Sequence, residues 1–165
     1  MKIVVISDTH MPKRGKKLPT SLIEDLQSAQ LIIHAGDWQT LDVYQELLTY
    51  APVEGVSGNV DGEDIKERFG EKRILQINGK RIGVVHGHGE KGTTEKRAIA
   101  AFAEEDVDLI IFGHSHIPVK KQSDGVMLFN PGSPTDKRRQ PAYSYGVITI
   151  QGTIHVDHVF YNSKE

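Results

Sequence analysis

The sequence predicts an α/β protein, a four-layer sandwich of two mixed β-sheets flanked by helices. In the first half, runs rich in Ile, Val and Leu alternate with segments of helical spacing, which favours a mostly parallel sheet covered on both faces. In the last third the helical pattern stops and short apolar runs separated by turn residues indicate antiparallel hairpins. With 165 residues the chain can bury one core, so we expect a single domain over 1–165.

Six apolar runs of the first two thirds are expected to form strands. They cover residues 2–7, 31–34, 53–57, 73–77, 81–85 and 109–112. Between them, residues 18–27, 41–50 and 94–105 place apolar side chains at helical spacing and are expected to form helices. The element order therefore begins β-α-β-α-β.

The last third is expected to contain four more strands. They cover residues 119–121, 126–129, 145–150 and 153–160. The last two runs are separated by Gln151 and Gly152, a pair that is typical of a tight hairpin turn.

Composition excludes several classes of protein. A net charge of −2 and a pI near 6.4 remove the general electrostatic basis for extended nucleic-acid binding. The chain has no cysteine, so it has neither a disulfide nor a thiolate metal site, and any metal must bind through oxygen and imidazole. No apolar stretch approaches the ~18 residues that cross a bilayer, and residues 3–6 follow the first Met and Lys without the regions of a signal peptide. We expect a cytoplasmic protein that does not contact a membrane.

Potential metal ligands follow five of the predicted strands at their carboxyl ends. Open α/β sheets bind their ligands in the crevice beyond these ends, so the side chains are expected to converge. They are Asp8 and His10, Asp37, Asn59 with Asp61, His86 with His88, and His114 with His116.

The chemistry of these donors suits divalent first-row metals. Carboxylates, imidazoles and one amide match Mn, Fe, Co, Ni or Zn better than Mg. In the pairs Asp8/His10 and His114/His116, donors two residues apart point to the same side of an extended segment. Asp37 could bridge two ions. Glycines at positions 36, 58, 87 and 113 adjoin the donors and are expected to let the backbone turn sharply.

Each motif alone has a simpler interpretation. An isolated Asp-x-His is commonly a helix cap beside an unrelated histidine, and Gly-Asp or Gly-Asn-x-Asp is commonly a turn. A His-x-His pair after an apolar strand is more specific. What favours a metal site is the presence of all five motifs, in order, at successive strand ends.

This order of motifs, Asp-x-His, Gly-Asp, Gly-Asn, His and Gly-His-x-His, resembles the calcineurin-like metallophosphoesterase superfamily. The short chain and the segment Asn130-Pro131-Gly132-Ser133 are similar to the compact YfcE-type phosphodiesterases, relatives of the retromer subunit Vps29. The resemblance implies the metallophosphoesterase fold and two metal ions that share Asp37. One ion would be held by Asp8, His10, Asp37 and His116, and the other by Asp37, Asn59, His86 and His114. Catalytic roles are implied for His10, Asp37 and Asn59.

One position departs from the superfamily pattern. Where the third motif usually has a histidine that stabilises the transition state or protonates the leaving oxygen, this chain has Val60. His88 is a candidate to replace it as a catalytic residue, and a supporting or solvent-exposed role is the alternative. Asp61 is expected to orient a ligand imidazole.

The expected function is hydrolysis of small phosphodiesters, with monoesters as less favoured substrates. Two ions about 3.5–4 Å apart lower the pKa of a bridging water, so that hydroxide forms near neutral pH and attacks phosphorus in line with the leaving oxygen. We expect Mn as the working metal, with Ni, Fe, Co, Zn or Mg as alternatives. A homo-oligomer is compatible with the resemblance.

Two other functions remain open. A protein-binding scaffold of the Vps29 type shares the expected fold, and a nuclease would share the metal site but needs a longer basic surface. The basic runs 13–17 and 137–139 either contact substrate or are solvated loops. Asn130 and Ser133 either line the metal crevice or form a turn, and Trp38 either stacks on a substrate or packs in the interior. The remaining histidines, His34, His155 and His158, are expected to be structural.

Overall fold

The computed structural model describes all residues, 1–165, and contains ten strands and four helices. The strands are β1 Lys2–Ile6, β2 Leu31–His34, β3 Val53–Gly55, β4 Lys72–Ile77, β5 Lys80–Val85, β6 Leu109–Ile111, β7 Val119–Ser123, β8 Val126–Asn130, β9 Tyr143–Gln151 and β10 Thr153–Tyr161. The helices are α1 Thr20–Leu26, α2 Leu41–Leu48, α3 Glu63–Phe69 and α4 Thr94–Ala101. No helix is long and apolar enough to cross a membrane.

The strands form two five-stranded mixed sheets. The first has the order β10-β9-β1-β2-β3 and the second has the order β4-β5-β6-β8-β7. In the first sheet β1, β2 and β3 are parallel and β9 is antiparallel to β1. The prediction of two mixed sheets is confirmed. The antiparallel prediction for the last third is correct for the pairs β9–β10 and β7–β8, but β8 runs parallel to β6.

Three apolar clusters separate the four layers. The central cluster combines Ile3 and Ile33 of the first sheet with Val84 and Ile111 of the second, so the two sheets pack face to face. Helices α1, α2 and α3 cover the outer face of the first sheet, and Phe69 of α3 belongs to the apolar cluster between these helices and the sheet. Helix α4 covers the outer face of the second sheet.

Helix α3 was not predicted from the sequence. Its seven residues contain one pair of buried apolar side chains four positions apart, Ile65 and Phe69, and five charged or polar residues. A single pair of this kind gives too little periodicity to distinguish a helix from a loop. The short helix leads from the loop that carries Asn59 to strand β4.

Helix α1 is fastened to the first sheet by a polar cluster around Asp25. Lys2 Nζ donates to Asp25 Oδ1 over 2.7 Å, and the hydroxyl of Tyr145 donates to Asp25 Oδ2. Burial by itself raises the pKa of Asp25, but the hydrogen bonds from Lys2 and Tyr145 and the charge of Lys2 outweigh it and leave the pKa below its ordinary value.

The topology brings the two sheets together at one end. Residues 34 and 55 are paired where β2 and β3 end, and residues 84 and 111 are paired where β5 and β6 end. Beyond these ends, the N–H of Gly113 donates to the carbonyl of His86 over 3.0 Å, and the N–H of Asp8 donates to the carbonyl of Gly36 over 2.9 Å. The loops after β1 and β2 therefore lie side by side, as do the loops after β5 and β6. The bond of 2.8 Å between His86 Nδ1 and the carbonyl of Ala35 joins the two pairs of loops.

Candidate metal centre

The loops at this end bring the predicted donors into two adjacent clusters. Asp8, His10 and His116 form one cluster, and Asp37, His86 and His114 form the other. Within each cluster the potential ligand atoms all lie within 4.8 Å of one another. Three donors per cluster are close enough to share an ion.

Asp37 lies between the two clusters. Its Oδ2 is 3.1 Å from Nε2 of His86 in its own cluster and 3.6 Å from Nε2 of His10 in the other. One carboxylate oxygen thus faces both clusters, which is the position that a bridging ligand requires.

Asn59 joins the second cluster through its side-chain oxygen. Asn59 Oδ1 lies 3.2 Å from Nδ1 of His114. All seven predicted donors are therefore gathered at one site.

Hydrogen bonds leave one oxygen of each carboxylate free. Asp8 Oδ2 accepts the hydroxyl of Ser7 over 2.7 Å and the N–H of His114 over 3.0 Å, while Oδ1 has no hydrogen-bond partner. Asp37 Oδ1 accepts the N–H of Val60 over 3.0 Å, while Oδ2 faces the imidazoles. The backbone thereby sets which oxygen can bind a cation.

Two imidazoles are oriented by main-chain carbonyls. His86 Nδ1 is 2.8 Å from the carbonyl oxygen of Ala35, and His116 Nδ1 is bonded to the carbonyl oxygen of Asp136. Because a carbonyl only accepts, each Nδ1 carries a hydrogen, and Nε2 is the ring nitrogen that faces the site. This arrangement is typical of histidine metal ligands.

Unpartnered buried atoms indicate that the donor set fits divalent metal ions. Asp8 Oδ1 and the Nε2 atoms of His10, His86 and His116 are buried without a hydrogen bond. Each such atom costs about 1–3 kcal/mol unless a ligand satisfies it. Asp8 Oδ1 lies 3.8, 3.6 and 3.5 Å from the three Nε2 atoms. Donors that bind one ion at about 2.0–2.2 Å are separated by roughly 3–3.6 Å.

The electrostatic field of the site attracts positive charge. Burial by itself raises the pKa of Asp8, but the neighbouring imidazoles, His86 first, outweigh it and hold the pKa well below its ordinary value. Burial by itself lowers the pKa of His86, but Asp8 and Asp37 reverse this and raise it to about 9. Two buried carboxylates thus favour a cation between them.

Five of the seven donors have a left-handed backbone. Asp8, His10, Asp37, His114 and His116 have φ angles of 58°, 45°, 61°, 70° and 62°. Residues other than glycine rarely adopt this conformation, which costs of order 1–3 kcal/mol each and concentrates at functional sites. The chain therefore holds the donors at an energetic cost that the rest of the fold offsets.

The four glycines next to the donors permit either a sharp turn or a close approach of two loops. Only the sharp turn was predicted from the sequence. Gly36 and Gly87 have positive φ angles of 104° and 95°, as a sharp turn requires. Gly58 and Gly113 lack positive φ. A Cβ at Gly58 would lie 2.5 Å from the backbone nitrogen of Asp37, and one at Gly113 would lie 2.6 Å from Asp8 Oδ2. These two glycines permit close approach of neighbouring loops.

The expectation that Asp61 orients an imidazole is wrong. Its carboxylate instead accepts three backbone N–H groups, those of Asp37, Gln39 and Gly58, each over 2.8 Å. Asp61 therefore joins the loop after β2 to the loop after β3. It acts on the site through the backbone of Asp37.

Residues 130–136 support the loops of the site through hydrogen bonds, a role that was not predicted from the sequence. Asn130 and Ser133 are buried, so neither lines a crevice. Asn130 Nδ2 donates to the carbonyl of Gly113 over 3.1 Å, and Ser133 Oγ donates to the carbonyl of Asp8 over 2.7 Å. The segment thereby fixes the two loops that carry the first cluster.

The supporting role of Arg97 in α4 was not predicted from the sequence either, because a lone arginine in a helix does not indicate which groups it contacts. Its guanidinium donates to the carbonyls of Gly87, Lys91 and Gly92 over 2.8, 3.1 and 2.9 Å. These bonds wrap the loop after β5 around one side chain. The same loop carries His88.

His88 borders the second cluster without belonging to it. Its ring centroid is 5.5 Å from that of His86 and 6.4 Å from that of His114, and its Nδ1 is buried without a partner. Burial and the neighbouring His86 lower the pKa of His88. Val60 is 46% exposed and lines a cleft together with His10.

Trp38 and His34 belong to the interior. Trp38 is fully buried, donates from Nε1 to the carbonyl of Val56 over 2.8 Å, and stacks on His34, so it cannot stack on a substrate. Burial lowers the pKa of His34 to about 3, and the neutral ring bonds the N–H of Gly36 and the hydroxyl of Thr9. These contacts support a structural role for His34.

Known proteins resemble the chain over most of its length. A family model described as a calcineurin-like phosphoesterase superfamily domain matches residues 1–153. A probable metallophosphoesterase of Methanothermobacter thermautotrophicus is 37% identical over 143 residues, which cover 84% of this chain and 80% of that protein. The probable metallophosphoesterase YsnB of Bacillus subtilis is 31% identical over 153 residues, covering 92% and 85%. The crystal structure of Entamoeba histolytica Vps29 complexed with zinc superposes with a TM-score of 0.75 at 25% identity, over 98% of this chain and 100% of that one.

Proposed function

Since the chain belongs to the calcineurin-like phosphoesterase superfamily, we propose that it hydrolyses small phosphodiesters with two divalent metal ions. The family and the metallophosphoesterase relatives support a metal-dependent phosphoric ester hydrolase, and the resemblance seen in the motifs is confirmed. The paired metal site and the preference for diesters are the parts that we propose. The observation that carries the proposal is the Asp37 carboxylate between two clusters of unpartnered donors.

The ligand sets follow from the two clusters. Asp8, His10 and His116 would hold one ion, and Asn59, His86 and His114 would hold the other, with Asp37 contributing to both. The first set has one aspartate and two imidazoles of its own, and the second has one amide and two imidazoles. The two ions would therefore have similar but unequal surroundings.

The chain's own residues chiefly position the reacting groups. When bound, two divalent ions supply an activated water as the nucleophile and neutralise charge on the transferring phosphoryl group. Asp37, which contacts both sets, fixes their spacing, and Asn59 contacts His114 of the second set. His10 lies between the ligand cluster and the cleft lined by Val60, where we place its contact with the equatorial phosphoryl oxygens.

We assign the contact with the leaving oxygen to His88. Val60 has no proton to donate, whereas the imidazole of His88 is only partly buried and borders the second cluster. His88→Gln should slow hydrolysis of esters with poor, alkyl-type leaving groups more than hydrolysis of nitrophenyl esters, which need little protonation. His155→Gln, an exposed histidine on β10, is the matched control. An equal loss on both classes of ester would exclude this role for His88.

Mn is the metal that we propose for the site. A mixed set of imidazole and oxygen donors without sulfur suits it, although Ni, Fe, Co and Zn suit the same donors. Metal-stripped protein would be reconstituted with each ion separately. The proposal requires that Mn restore at least as much turnover as the others when each is supplied near its physiological availability.

The experiment for the function as a whole compares a nitrophenyl phosphodiester with the matching monoester. Metal-stripped wild type, Asn59→Ala and His86→Ala are assayed with and without added Mn, and Mn binding is measured by calorimetry. We expect diester hydrolysis that needs the metal and falls by at least roughly 100-fold in both variants, with weaker Mn binding. Turnover that is independent of metal, or equal in the variants, would contradict the proposal.

A protein-binding scaffold is the alternative function, because the fold is also that of Vps29. The seven intact donors favour the enzyme. A stable protein complex, combined with no turnover of any ester by the fully metal-loaded protein, would favour the scaffold instead. A nuclease is less favoured because the chain is weakly acidic overall.

A further inference from the structure

A basic cleft opens beside the metal centre. It has a volume of about 400 Å³ and shares His10 with the first donor cluster. Its other lining residues are Lys13, Arg14, Val60, Asp136 and Arg138. Lys13 and Arg14 lie more than 120 positions from Arg138 in the sequence, yet they meet it at one place next to the site.

Only part of each basic run faces this cleft. Lys16 lines a separate depression that also contains the acidic side chains Asp42 and Glu46. Lys137 Nζ lies over the ring of Tyr143, 5.6 Å from its centroid. Lys13, Arg14 and Arg138 are thus the three cations that line the basic cleft.

The walls of the cleft are fixed to each other. Lys164 Nζ donates to the carbonyl of Arg14 over 2.6 Å and to that of Thr135 over 3.1 Å. A Cβ at Gly15 would lie 3.0 Å from Cγ2 of Thr135, so the glycine permits the close approach of the first basic run to the segment that precedes the second. Thr135 Oγ1 in turn donates to the carbonyl of Thr9, between two donors of the first cluster. The cleft therefore keeps a fixed position relative to the metal centre.

Positive charge dominates the cleft. Three cations face one carboxylate, Asp136, whose Oδ2 is 3.7 Å from Nε of Arg14. The Arg14 side chain is 57% exposed, so its terminal nitrogens remain accessible to a ligand. Arg138 also lines a second depression of about 430 Å³, together with Lys137 and Arg139. Ser115 and Ile117, which flank His116, line the same depression. Arg138 therefore stands between two openings that both border the site.

We propose that the basic cleft binds a second, non-scissile phosphate group of the substrate, held by Lys13, Arg14 and Arg138. The substrate class is then a small organic phosphodiester that carries another phosphate next to the one that is hydrolysed. This inference rests on the proposed phosphodiesterase function. Three cations in one cleft match one phosphate group, whereas a polynucleotide would need a basic track that continues over several phosphates.

The test uses two esters that differ only in the second phosphate. They are thymidine 5′-(4-nitrophenyl phosphate) and the same compound with a 3′-phosphate, assayed with the Mn-loaded full chain. Binding of thymidine 5′-monophosphate and thymidine 3′,5′-bisphosphate is measured in parallel by calorimetry. The variants are Arg14→Gln, Arg138→Gln and the double variant, and the control is Lys80→Gln at the start of β5, the opposite end of that strand from His86.

We expect wild type to favour the 3′-phosphorylated ester roughly fivefold or more in KM, as two exposed ion pairs provide. The preference should fall to about one in the double variant, fall with rising salt, and persist in Lys80→Gln. Equal KM values for the two esters in wild type, or an undiminished preference in the double variant, would overturn the inference. Affinity for oligothymidylates that rises steadily with length would also overturn it, because the ligand would then be a polynucleotide.

The two proposals fail in different ways. Preferential binding of the bisphosphate without hydrolysis of either ester would refute the phosphodiesterase function and leave the phosphate subsite in place. Hydrolysis of both esters with no preference in binding would refute the subsite and leave the function in place.

Discussion

Replacing Gly58 by alanine should damage the metal centre without touching a metal donor. The added Cβ would lie 2.5 Å from the backbone nitrogen of Asp37 and 2.8 Å from its carboxyl carbon. Reaching an ordinary contact of 3.4 Å from that nitrogen requires the loops after β2 and β3 to separate by about 0.9 Å. Ligand distances at a metal site tolerate only about 0.2 Å. The substitution therefore moves Asp37 well beyond the tolerance of a shared site.

The expected result has two parts. Mn affinity should fall by at least roughly 10- to 100-fold, the loss typical of disturbed supporting contacts, and diester hydrolysis should fall with it. Overpacking should also cost about 1–3 kcal/mol of unfolding free energy, which lowers Tm by about 2–4 °C per kcal/mol in a protein of this size. Calorimetric Mn titration and thermal unfolding with and without Mn measure both effects.

Gly62→Ala is the matched control, four positions along the same loop. Its Cβ would meet nothing closer than Asp64 Oδ1 at 3.3 Å, the end of an exposed side chain, and its φ of −81° suits alanine. This variant should bind Mn as wild type does. If Gly58→Ala also bound Mn and hydrolysed the diester like wild type, the shared position of Asp37 would not matter, and the reasoning would be refuted.

Three further predictions concern residues that support the site or the packing of helix α1. Asp61→Asn should weaken Mn binding roughly tenfold or more and destabilise the protein by about 1.5–3 kcal/mol, because one of three charge-assisted bonds to backbone N–H groups is lost. Calorimetry would measure the binding and urea unfolding the stability. The control variant Asp64→Asn should leave both unchanged. Ser133→Ala should cost about 1–3 kcal/mol in urea unfolding by leaving the buried carbonyl of Asp8 unbonded, and a smaller change than ~0.5 kcal/mol would argue against the brace. For Asp25, whose folded pKa lies below its ordinary 3.8, the stabilisation is present above that value and is lost as pH falls through the folded pKa. The stability difference between wild type and Asp25→Asn should accordingly be constant near neutral pH and shrink below about pH 4, and a difference that grew on acidification would contradict it.

The donors of the site could be identified from the sequence because each follows an apolar strand. Strand ends are visible as the point where an Ile, Val and Leu run stops, as at Ile6 and Ile111. The carboxyl ends of parallel strands meet at one edge, so the order of motifs predicted a common site. The mixed-sheet fold could be predicted from the sequence for the same reason. The parallel pairing of β8 with β6 could not, because it depends on contacts that no local pattern encodes.

Only the tertiary structure decided how the donors are held and what surrounds them. The backbone at Asp37 is left-handed. The bonds of Asp37 and Gln39 to Asp61 and the contact of Ser133 with Asp8 join residues 22 to 125 positions apart. Local spacing carries no information about such pairs, because they form when the two sheets pack and bring their loops together. The same packing placed Arg14 and Arg138 in one cleft, although each appears in the sequence as part of an ordinary charged loop. Local hydrophobic patterning thus determined the elements and the donors, while burial and long-range hydrogen bonding determined the geometry that makes them a site.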